Sequence, residues 1–206
     1  MYKNWNINSY KSGMMVSCLI LFYNKRMDKK DLRLKAKEFR TKVDVELASF
    51  KIVEQIKNLN EYKKAKDVLL FYPKGSELDL LALCSEEKNF YLPRINGENL
   101  LICPYSCDVE MKLSHFKTLE PCSTPVSPDK IDFAIIPCLM ADKKGYRLGY
   151  GGGFYDRLIP QLKNGCVKVC PVLSELVVEE LPIEKFDRPV DIIVTQDYSL
   201  SAESFS

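Results

Sequence analysis

Apolar side chains early in the chain recur at the spacing of three and four residues that is typical of amphipathic helices. The two apolar stripes comprise Leu32, Ala36, Phe39 and Val43, and then Ala48, Ile52, Ile56 and Leu59. Asp28 stands just before the first stripe, where its carboxylate can accept a hydrogen bond from the backbone of a helix. The pattern therefore predicts two consecutive helices, the first capped by Asp28 and beginning at Lys29.

After residue 67 the pattern changes to short, mostly apolar runs, which are typical of strands buried on both faces of a sheet. We predict strands at residues 68–72, 89–92, 100–103, 131–136, 167–172 and 191–195. Proline follows three of these runs, at positions 73, 93 and 137, and is expected to end each strand. Short helices are predicted at residues 78–84 and 154–162. Strands that alternate with helices predict an α/β fold with a mostly parallel sheet covered on both faces.

Length and charge fit one ordinary globular domain. The 206 residues are 46% hydrophobic and 28% charged, and the net charge of +2 gives no reason to expect a nucleic-acid partner. We expect residues 27–206 to form this domain and residues 1–26 to be an extension, either disordered or the product of a misassigned start. The apolar run at residues 14–22 resembles a weak signal peptide, but no cleavage motif follows and the run is too short to span a bilayer. A targeting segment stays an alternative, and we expect a cytoplasmic protein without a membrane partner.

Eight cysteines are many for this length, but no two of them form a Cys-x-x-Cys pair, and His115 is the only histidine. These spacings argue against a zinc site, and a chain with a substantial core rarely needs a disulfide framework. We therefore predict reduced, mostly buried thiols. A single histidine also argues against a hydrolase of the Ser-His-Asp type.

Five of the nine glycines fall between positions 145 and 153. Glycine lets backbone N–H groups approach a ligand closely, and such loops form concave anion-binding sites. A helix beginning near Phe154 adds its positive end, and Arg147 adds a cation suited to phosphate. The cluster matches neither the Walker A loop nor the dinucleotide fingerprint. It favours a polyphosphate site, while a flexible surface turn stays the alternative.

Each of the charged residues near this cluster is consistent with either a ligand-binding role or a purely structural one. Asp156 could hold Mg²⁺ beside bound phosphates, or it could only stabilise the first turn of its helix. Asp187 could be a second metal ligand or a turn residue. Lys29, Arg33 and Arg40 share one sector of the first helix and could face a cleft, although a solvated basic face fits as well. Glu77 could cap the following helix or contact a substrate.

Several short motifs occur together in a fixed order along residues 29–197. They are Lys29-x-x-Leu32-Arg33, Glu77-Leu-Asp79, Pro93-Arg94, Glu120-Pro121, Asp132-Phe-Ala-Ile-Ile-Pro137 continuing through Gly145-x-Arg147-Leu-Gly149-x-Gly151-x-Gly153-Phe-Tyr155-Asp156-Arg157, and Asp187-x-Pro189-Val190-Asp191. By these motifs the chain resembles the 5-formyltetrahydrofolate cyclo-ligase family, also called the methenyltetrahydrofolate synthetases. One departure is Met140-Ala141-Asp142, where members of the family usually have Ala-Phe-Asp.

The resemblance implies a role for individual residues. ATP would contact Lys29, Lys30, Asp31, Leu32, Arg33, Arg147, Leu148, Gly149, Tyr150, Gly151, Gly152, Gly153, Phe154 and Tyr155. The folate would contact Tyr72, Glu77, Tyr150, Gly151, Gly152, Gly153 and Phe154. Asp156 and Asp187 would hold Mg²⁺, and the catalytic set would be Lys29, Arg33, Arg147 and Asp156. The implied fold is a three-layer α/β/α arrangement, similar in architecture to sugar-phosphate isomerases of the NagB/RpiA type.

The implied reaction is an ATP- and Mg²⁺-dependent cyclisation of 5-formyltetrahydrofolate to 5,10-methenyltetrahydrofolate. The formyl oxygen is a poor leaving group, so its phosphorylation by ATP would precede attack by N10 and release of phosphate. Such chemistry depends on positioning and charge neutralisation and needs no covalent nucleophile. We expect small-molecule partners, the folate and ATP, and a monomer or weak homodimer. A non-catalytic nucleotide- or folate-binding module and a relative of the sugar-phosphate isomerases stay as alternatives.

Overall fold

The computed structural model describes residues 27–202, so the predicted extension at residues 1–26 lies outside the described part of the chain. Three helices come first, α1 at Lys29–Arg40, α2 at Val45–Asn58 and α3 at Asn60–Lys64. The Asp28 carboxylate accepts a hydrogen bond from the Asp31 N–H at 2.8 Å, which confirms the predicted cap of α1. Both helices predicted from the apolar stripes are confirmed.

Twelve strands and a further short helix, α4 at Phe154–Leu158, follow within the described residues. In chain order the strands are β1 (Asp67–Leu69), β2 (Asn89–Asn96), β3 (Asn99–Tyr105), β4 (Met111–Leu113), β5 (Leu119–Pro121), β6 (Phe133–Ile135), β7 (Met140–Asp142), β8 (Arg147–Leu148), β9 (Val167–Pro171), β10 (Val177–Val178), β11 (Ile192–Val194) and β12 (Ser199–Ser201). Seven of them form the main sheet, in the order β12-β11-β9-β6-β1-β2-β3. Only the edge strands β3 and β12 run antiparallel to their neighbours. The predicted α/β class with a mostly parallel sheet is confirmed.

The strand order of this sheet reverses between β1 and β6, because later strands are added first on one side of β1 and then on the other. From β1 it moves outward to β2 and β3, and it later returns to β6 on the other side of β1 before reaching β9 and β11. In open parallel sheets a crevice forms at the carboxyl ends of two strands whose connections lead in opposite directions. The residues that follow β1 and β6 are therefore placed to line a binding site.

Strand β2 continues through Pro93, so the prediction that this proline ends the strand is wrong. The Asn89 N–H and the Tyr91 carbonyl both point toward β1, and backbone groups two residues apart along a strand point to the same side. Pro93 therefore also faces the side of β1. Strand β1 ends at Leu69, so within the described residues it offers no ladder partner opposite Pro93. The missing N–H of the proline consequently removes no ladder hydrogen bond.

Several predicted elements are shorter in the structure. The helix predicted at residues 154–162 is α4 followed by a 3₁₀ turn at Ile159–Gln161, because Pro160 cannot donate the next hydrogen bond of an α-helix. The helix predicted at residues 78–84 is a 3₁₀ turn at Leu81–Ser85. The run predicted as a strand at residues 131–136 contains the three-residue strand β6. The run predicted at residues 68–72 overlaps the three-residue strand β1, which begins one residue earlier, at Asp67.

Two small sheets were not predicted. Strands β4 and β5 form an antiparallel hairpin, and β10, β7 and β8 form a three-stranded sheet in that order. Strands β7 and β8 lie between β6 and residues 149–153. The first glycine of the cluster, Gly145, therefore lies in the turn of this hairpin, and only the later glycines follow it.

Asp132 ties together the amino ends of β1 and β6. Its Oδ2 accepts hydrogen bonds from the backbone N–H groups of Lys66 at 2.9 Å and Asp67 at 3.0 Å, and its Oδ1 accepts one from the Lys163 ammonium. Partial burial raises the pKa of Asp132, but these three donors outweigh it and lower the pKa to about 2. This residue of the longest motif thus lies at the opposite end of the strands from the crevice.

One cluster of buried hydrophobic residues runs from Leu32 in α1 to Val194 in β11 and joins the first helices to the main sheet. That residues 27–206 form a single domain stays a prediction. No helix in residues 27–202 combines the length and the hydropathy needed to cross a membrane.

Candidate functional site

A cleft of about 620 Å³ opens at the carboxyl ends of β1 and β6, where the strand order reverses. Its walls are formed by α1, the segment after β1, strand β8 with the glycines that follow it, the β4–β5 hairpin and the loop before β11. Many of the site residues predicted from the sequence line it, namely Lys29, Arg33, Tyr72, Glu77, all of residues 147–156, and Asp187.

Three residues assigned to ATP binding by resemblance do not line this cleft. Lys30 and Asp31 are exposed, and Leu32 is buried in the hydrophobic core. The three positions lie between Lys29 and Arg33, which are one helical turn apart and face the cleft. Successive residues of an α-helix point about 100° apart, so the intervening side chains are directed elsewhere.

Residues 149–153 connect β8 to α4 and form one wall of the cleft. Gly151 and Gly153 have φ angles of +106° and +66°, values that residues with side chains rarely adopt. A Cβ atom on Gly153 would lie 2.7 Å from Arg157 Nη1. Gly151 and Gly152 are exposed, so the backbone of the loop is open to the cleft.

Two basic residues of α1, Lys29 and Arg33, contact different segments of the cleft wall. Lys29 Nζ lies 2.6 Å from Asp187 Oδ2 and 3.3 Å from Glu184 Oε1. Arg33 Nε donates a hydrogen bond to the Gly149 carbonyl at 2.8 Å. Because both residues have protein acceptors and also line the cleft, they are held in place at its edge.

Arg40, the third basic residue of this sector, is only 3% exposed and does not line the main cleft. Its Nη1 donates to the Tyr150 hydroxyl at 2.9 Å, and its Nη2 donates to the Cys138 carbonyl. Arg40 therefore holds Tyr150 of the glycine cluster from the protein interior. The reading of this helix sector as a solvated basic face does not fit Arg40.

Arg147 lies in the cleft wall with only 3% of its side chain exposed. Its Nη1 donates to Asp156 Oδ1 at 3.0 Å. Its Nε and Nη2 are buried and have no hydrogen-bond partner among the described residues. A buried donor without an acceptor costs about 1–3 kcal/mol. The guanidinium is thus arranged for an acceptor that the described protein does not supply.

Asp156 and Asp187 come from different segments that touch each other. The Arg188 N–H donates to Asp156 Oδ1 at 3.2 Å, which brings the loop carrying Asp187 against α4. Each carboxylate is paired with a cation, Asp156 with Arg147 and Asp187 with Lys29. Two carboxylates beside the glycine cluster, for which the sequence predicts phosphate binding, suit Mg²⁺, which proteins hold through one or two carboxylates plus phosphate oxygens. In residues 27–202 no group of three or more potential metal ligands occurs.

Glu77 is held next to the glycine cluster. Its Oε2 accepts a hydrogen bond from the Lys74 N–H at 2.8 Å. Burial raises the pKa of the Glu77 carboxyl, and hydrogen bonds from the Tyr150 hydroxyl and the Lys74 N–H only partly offset this. Burial also raises the pKa of Tyr150, against the opposing effect of Arg40. A carboxylate with a perturbed pKa in a cleft is a typical feature of functional sites.

Sequence reasoning gave no role to Phe116, which lines the cleft from the turn of the β4–β5 hairpin. Its ring meets that of Phe154 edge-on, with centroids 6.1 Å apart. Together with Tyr72 these rings give one part of the cleft an aromatic surface. Glu120 and Glu184 also line the cleft and were not predicted. Local sequence carries little signal for Phe116, because the hairpin that positions it has strands of only three residues.

Seven cysteines lie in the described part of the chain and are free thiols. Four of them, Cys103, Cys138, Cys166 and Cys170, are buried, and Cys107 is exposed. Burial raises the pKa of the Cys166 thiol to about 11, so this group is not a thiolate near neutral pH.

The comparisons with known proteins agree with the motifs. The sequence model of the 5-formyltetrahydrofolate cyclo-ligase family matches residues 24–196. The chain is 33% identical over 155 residues to a 5-formyltetrahydrofolate cyclo-ligase of Haemophilus influenzae, which covers 69% of this chain and 83% of the relative. It is 30% identical over 142 residues to the enzyme of that name in Escherichia coli K12, covering 64% of this chain and 78% of the relative.

Solved structures show the same likeness. The 5,10-methenyltetrahydrofolate synthetase of Aquifex aeolicus matches with a TM-score of 0.77 and 33% identity, over 87% of this chain and 95% of that protein. The 5,10-methenyltetrahydrofolate synthetase of Mycoplasma pneumoniae matches with a TM-score of 0.67 over 82% of this chain and 99% of that protein. At 20% identity, the second match shows a likeness of fold alone.

Proposed function

Because the chain belongs to the 5-formyltetrahydrofolate cyclo-ligase family, we propose that it converts 5-formyltetrahydrofolate and ATP to 5,10-methenyltetrahydrofolate, ADP and phosphate. Arg147 gives the strongest support from this chain's own geometry. It is a buried guanidinium in the cleft wall, and its Nε and Nη2 atoms have no acceptor within residues 27–202. Guanidinium geometry fits the oxygens of a phosphate or a carboxylate, and the nucleotide in this proposal supplies a phosphate.

The nucleotide phosphates lie, in this proposal, between α1 and the glycine cluster. Lys29 and Arg33 supply cations from one side, and residues 149–153 supply uncovered backbone from the other. Backbone N–H groups in such loops bind anions, and ionised partners roughly double the strength of each hydrogen bond. Arg147 completes the set at the buried end of the loop.

Asp156 and Asp187 are the residues that would hold Mg²⁺. When bound, the metal would offset negative charge on the phosphate oxygens during transfer. The Arg188 N–H bonded to Asp156 keeps the two carboxylate-bearing segments together. Arg147 and Lys29, their present partners, are then available to the phosphates.

The folate occupies the other part of the cleft. Tyr72, Phe116 and Phe154 provide aromatic surface there, and a flat heteroaromatic ring can stack on such side chains. Glu77 adds a fixed acceptor next to Tyr150, which suits the N–H groups of a pterin. We propose that these contacts orient the formyl oxygen toward the phosphates.

The chemistry then proceeds in two transfers. The γ-phosphoryl group moves from ATP to the formyl oxygen, so the P–O bond to the departing ADP breaks and a new P–O bond to the formyl oxygen forms. N10 attacks the activated formyl carbon and loses its proton, and the C–O bond breaks as phosphate leaves. The protein positions the reactants and stabilises charge, which accounts for most of the rate in phosphoryl transfer. No covalent bond to a side chain is required.

The test is direct measurement of product. Protein, Mg²⁺, ATP and 5-formyltetrahydrofolate are mixed, and the near-ultraviolet absorption of the methenyl product is followed. We expect product only when all components are present, and a rate at least about a hundredfold lower for Arg147→Ala. Absence of product from the complete mixture, or equal product without ATP, would contradict the proposed function.

The two alternatives make different predictions in a thermal-shift assay. A sugar-phosphate isomerase relative has no need of ATP, so its melting temperature should not change with nucleotide. A non-catalytic module should be stabilised without making product. A ligand at a hundred times its Kd stabilises the folded state by about 2.7 kcal/mol, which is readily detected.

A further inference from the structure

The ten residues from Leu181 to Val190 form a loop that carries Glu184 and Asp187, the two partners of Lys29. Leu181 and Val190 are buried, whereas the residues between them are exposed except for Asp187, which is half-buried. The loop therefore has few packing contacts of its own. Its position depends on the polar contacts that Asp187 and Arg188 make with Lys29 and Asp156, and on what holds its two ends.

Asp142, at the end of β7, holds the first end. It is fully buried, and its Oδ2 accepts a hydrogen bond from the Leu181 N–H at 2.9 Å. Its Oδ1 accepts from the N–H groups of Lys144 at 3.0 Å and Tyr146 at 2.9 Å. One carboxylate thus shapes the turn between β7 and β8 and binds the loop at the same time.

Gly145, in the same turn, holds the other end. Its carbonyl accepts a hydrogen bond from the Val190 N–H at 2.9 Å. Its φ angle is +85°, and a Cβ atom there would lie 2.5 Å from the Val190 carbonyl oxygen. Both ends of the loop are therefore attached to one turn of four to five residues, an arrangement typical of compact Ω-loops.

We propose that Asp142 is a positioning residue that anchors this loop and so places Asp187 for metal and nucleotide binding. The inference rests on the proposed function, since it assigns the loop to the Mg·ATP end of the cleft. Residues that hold a metal ligand in place commonly change metal affinity by tenfold to a hundredfold when they are replaced. Neither Asp142 nor Gly145 lines the cleft, so neither would contact a bound ligand there directly.

The anchoring can be measured without any activity. Trypsin cleaves after Lys185, which is exposed and is followed by the exposed Phe186. Asp142→Asn leaves a single oxygen for three N–H donors, so we expect cleavage after Lys185 to be about tenfold faster than in the wild type. Gly145→Ala should also accelerate it, because the new methyl group pushes Val190 away, and this variant serves if Asp142→Asn does not fold.

Glu179→Gln is the matched control. Glu179 forms an ion pair with Lys143 at 2.6 Å, which also joins the β7–β8 turn to the segment just before the loop. This pair is exposed to solvent, and the substitution removes it. Exposed pairs contribute little, so we expect no change in cleavage or in kinetics. Unchanged cleavage after Lys185 in both Asp142→Asn and Gly145→Ala would overturn the anchoring role.

The kinetics of methenyl formation then distinguish misplacement of Asp187 from a general loss of structure in the cleft. For Asp142→Asn we expect the KM for Mg·ATP to rise about tenfold, with the KM for the folate unchanged. A parallel rise of both KM values would overturn the assignment to the Mg·ATP end. If the wild type made no methenyl product, the proposed function would fail, while the proteolysis would still decide whether Asp142 anchors the loop.

Discussion

Lys29, Arg33 and Arg40 lie in one sector of α1, yet Lys29 contacts the loop before β11, whereas Arg33 and Arg40 contact neighbouring residues of the glycine cluster. Their spacing identified them as candidates, and the family resemblance assigned the first two to ATP. Their partners, Asp187, the Gly149 carbonyl and the Tyr150 hydroxyl, could not be predicted, because each lies more than a hundred residues away along the chain. At the scale of single residues, the sequence identifies which side chains are candidates for the site, and the fold determines their hydrogen-bond partners.

Asp156→Asn is expected to lower kcat more than about a hundredfold, because an amide is a poor Mg²⁺ ligand. The variant keeps an oxygen that can accept from Arg147 and from the Arg188 N–H, so its melting temperature should stay close to that of the wild type. Kinetics of methenyl formation and circular dichroism give the two measurements. Wild-type turnover in the variant would remove Asp156 from the mechanism.

Arg33→Ala is expected to raise the KM for ATP by about tenfold to a hundredfold, the effect of losing one hydrogen bond that involves a charged group. The KM for the folate should change less than about twofold, because Arg33 contacts the Gly149 carbonyl, on the side of the cleft that we propose for the phosphates. Lys51→Ala is a suitable control, since Lys51 is an exposed basic residue of α2 outside the cleft. An equal loss for both substrates would refute the assignment of Arg33 to ATP.

At the scale of elements, the glycine cluster was recognised from composition as a loop that opens its backbone to a ligand. The structure adds which glycines are required. Gly151 and Gly153 adopt left-handed conformations, whereas Gly149 does not, and a Cβ atom on Gly149 would meet nothing within 4 Å. Residue counting alone treats the five glycines of the cluster as equal.

Gly151→Ala is therefore expected to destabilise the protein by about 1–2 kcal/mol, the usual cost of placing a side chain at a left-handed position. Gly149→Ala should change stability by less than about 0.5 kcal/mol, because its conformation and surroundings accept a methyl group. Urea unfolding of the two variants measures both values. Equal destabilisation by the two substitutions would contradict the conformational argument.

The long, periodic elements were predictable and the short ones were not. Helices α1 and α2 were predicted from apolar spacing because each buries one face along three or more turns. Strands β7, β8 and β10 contain only two or three residues, so they exist through pairing with distant segments and leave little local pattern. The extent of β2 was missed for a similar reason, since only the end of β1 explains why Pro93 is tolerated.

At the scale of the whole molecule, the candidate site and a stabilising set of hydrogen bonds lie at opposite ends of the parallel strands. The cleft lies at the carboxyl ends of β1 and β6, and Asp132 holds their amino ends together. The family motif that includes Asp132 gave no indication of this difference, because motif membership does not distinguish a ligand contact from a structural one. The general location of the site was predictable from the strand pattern, whereas the strand order that creates the crevice required the structure.

Asp132→Asn is expected to destabilise the protein by about 2 kcal/mol at pH 7 and to leave the kinetic constants of the folded enzyme unchanged. The pKa of Asp132 is lowered to about 2 on folding, so its contribution is complete above the unfolded value of about 4 and is lost as the pH falls toward 2. The difference in free energy of unfolding between wild type and variant should therefore shrink over that range. A constant difference from pH 7 to pH 2 would contradict the assigned role.

The pairing of Lys29 with Asp187 and of Arg147 with Asp156 has a thermodynamic consequence for ligand entry. A divalent cation arriving alone must displace two fixed positive groups, and a polyphosphate arriving alone must displace two fixed negative ones. When both arrive, each takes the partners that the other releases, and linkage requires each to tighten the other by the same factor. We expect Mg²⁺ and a non-hydrolysable ATP analogue together to raise the melting temperature by more than the sum of their separate effects. Strictly additive shifts would mean independent binding, whereas a synergistic shift would mean that each ligand strengthens the binding of the other.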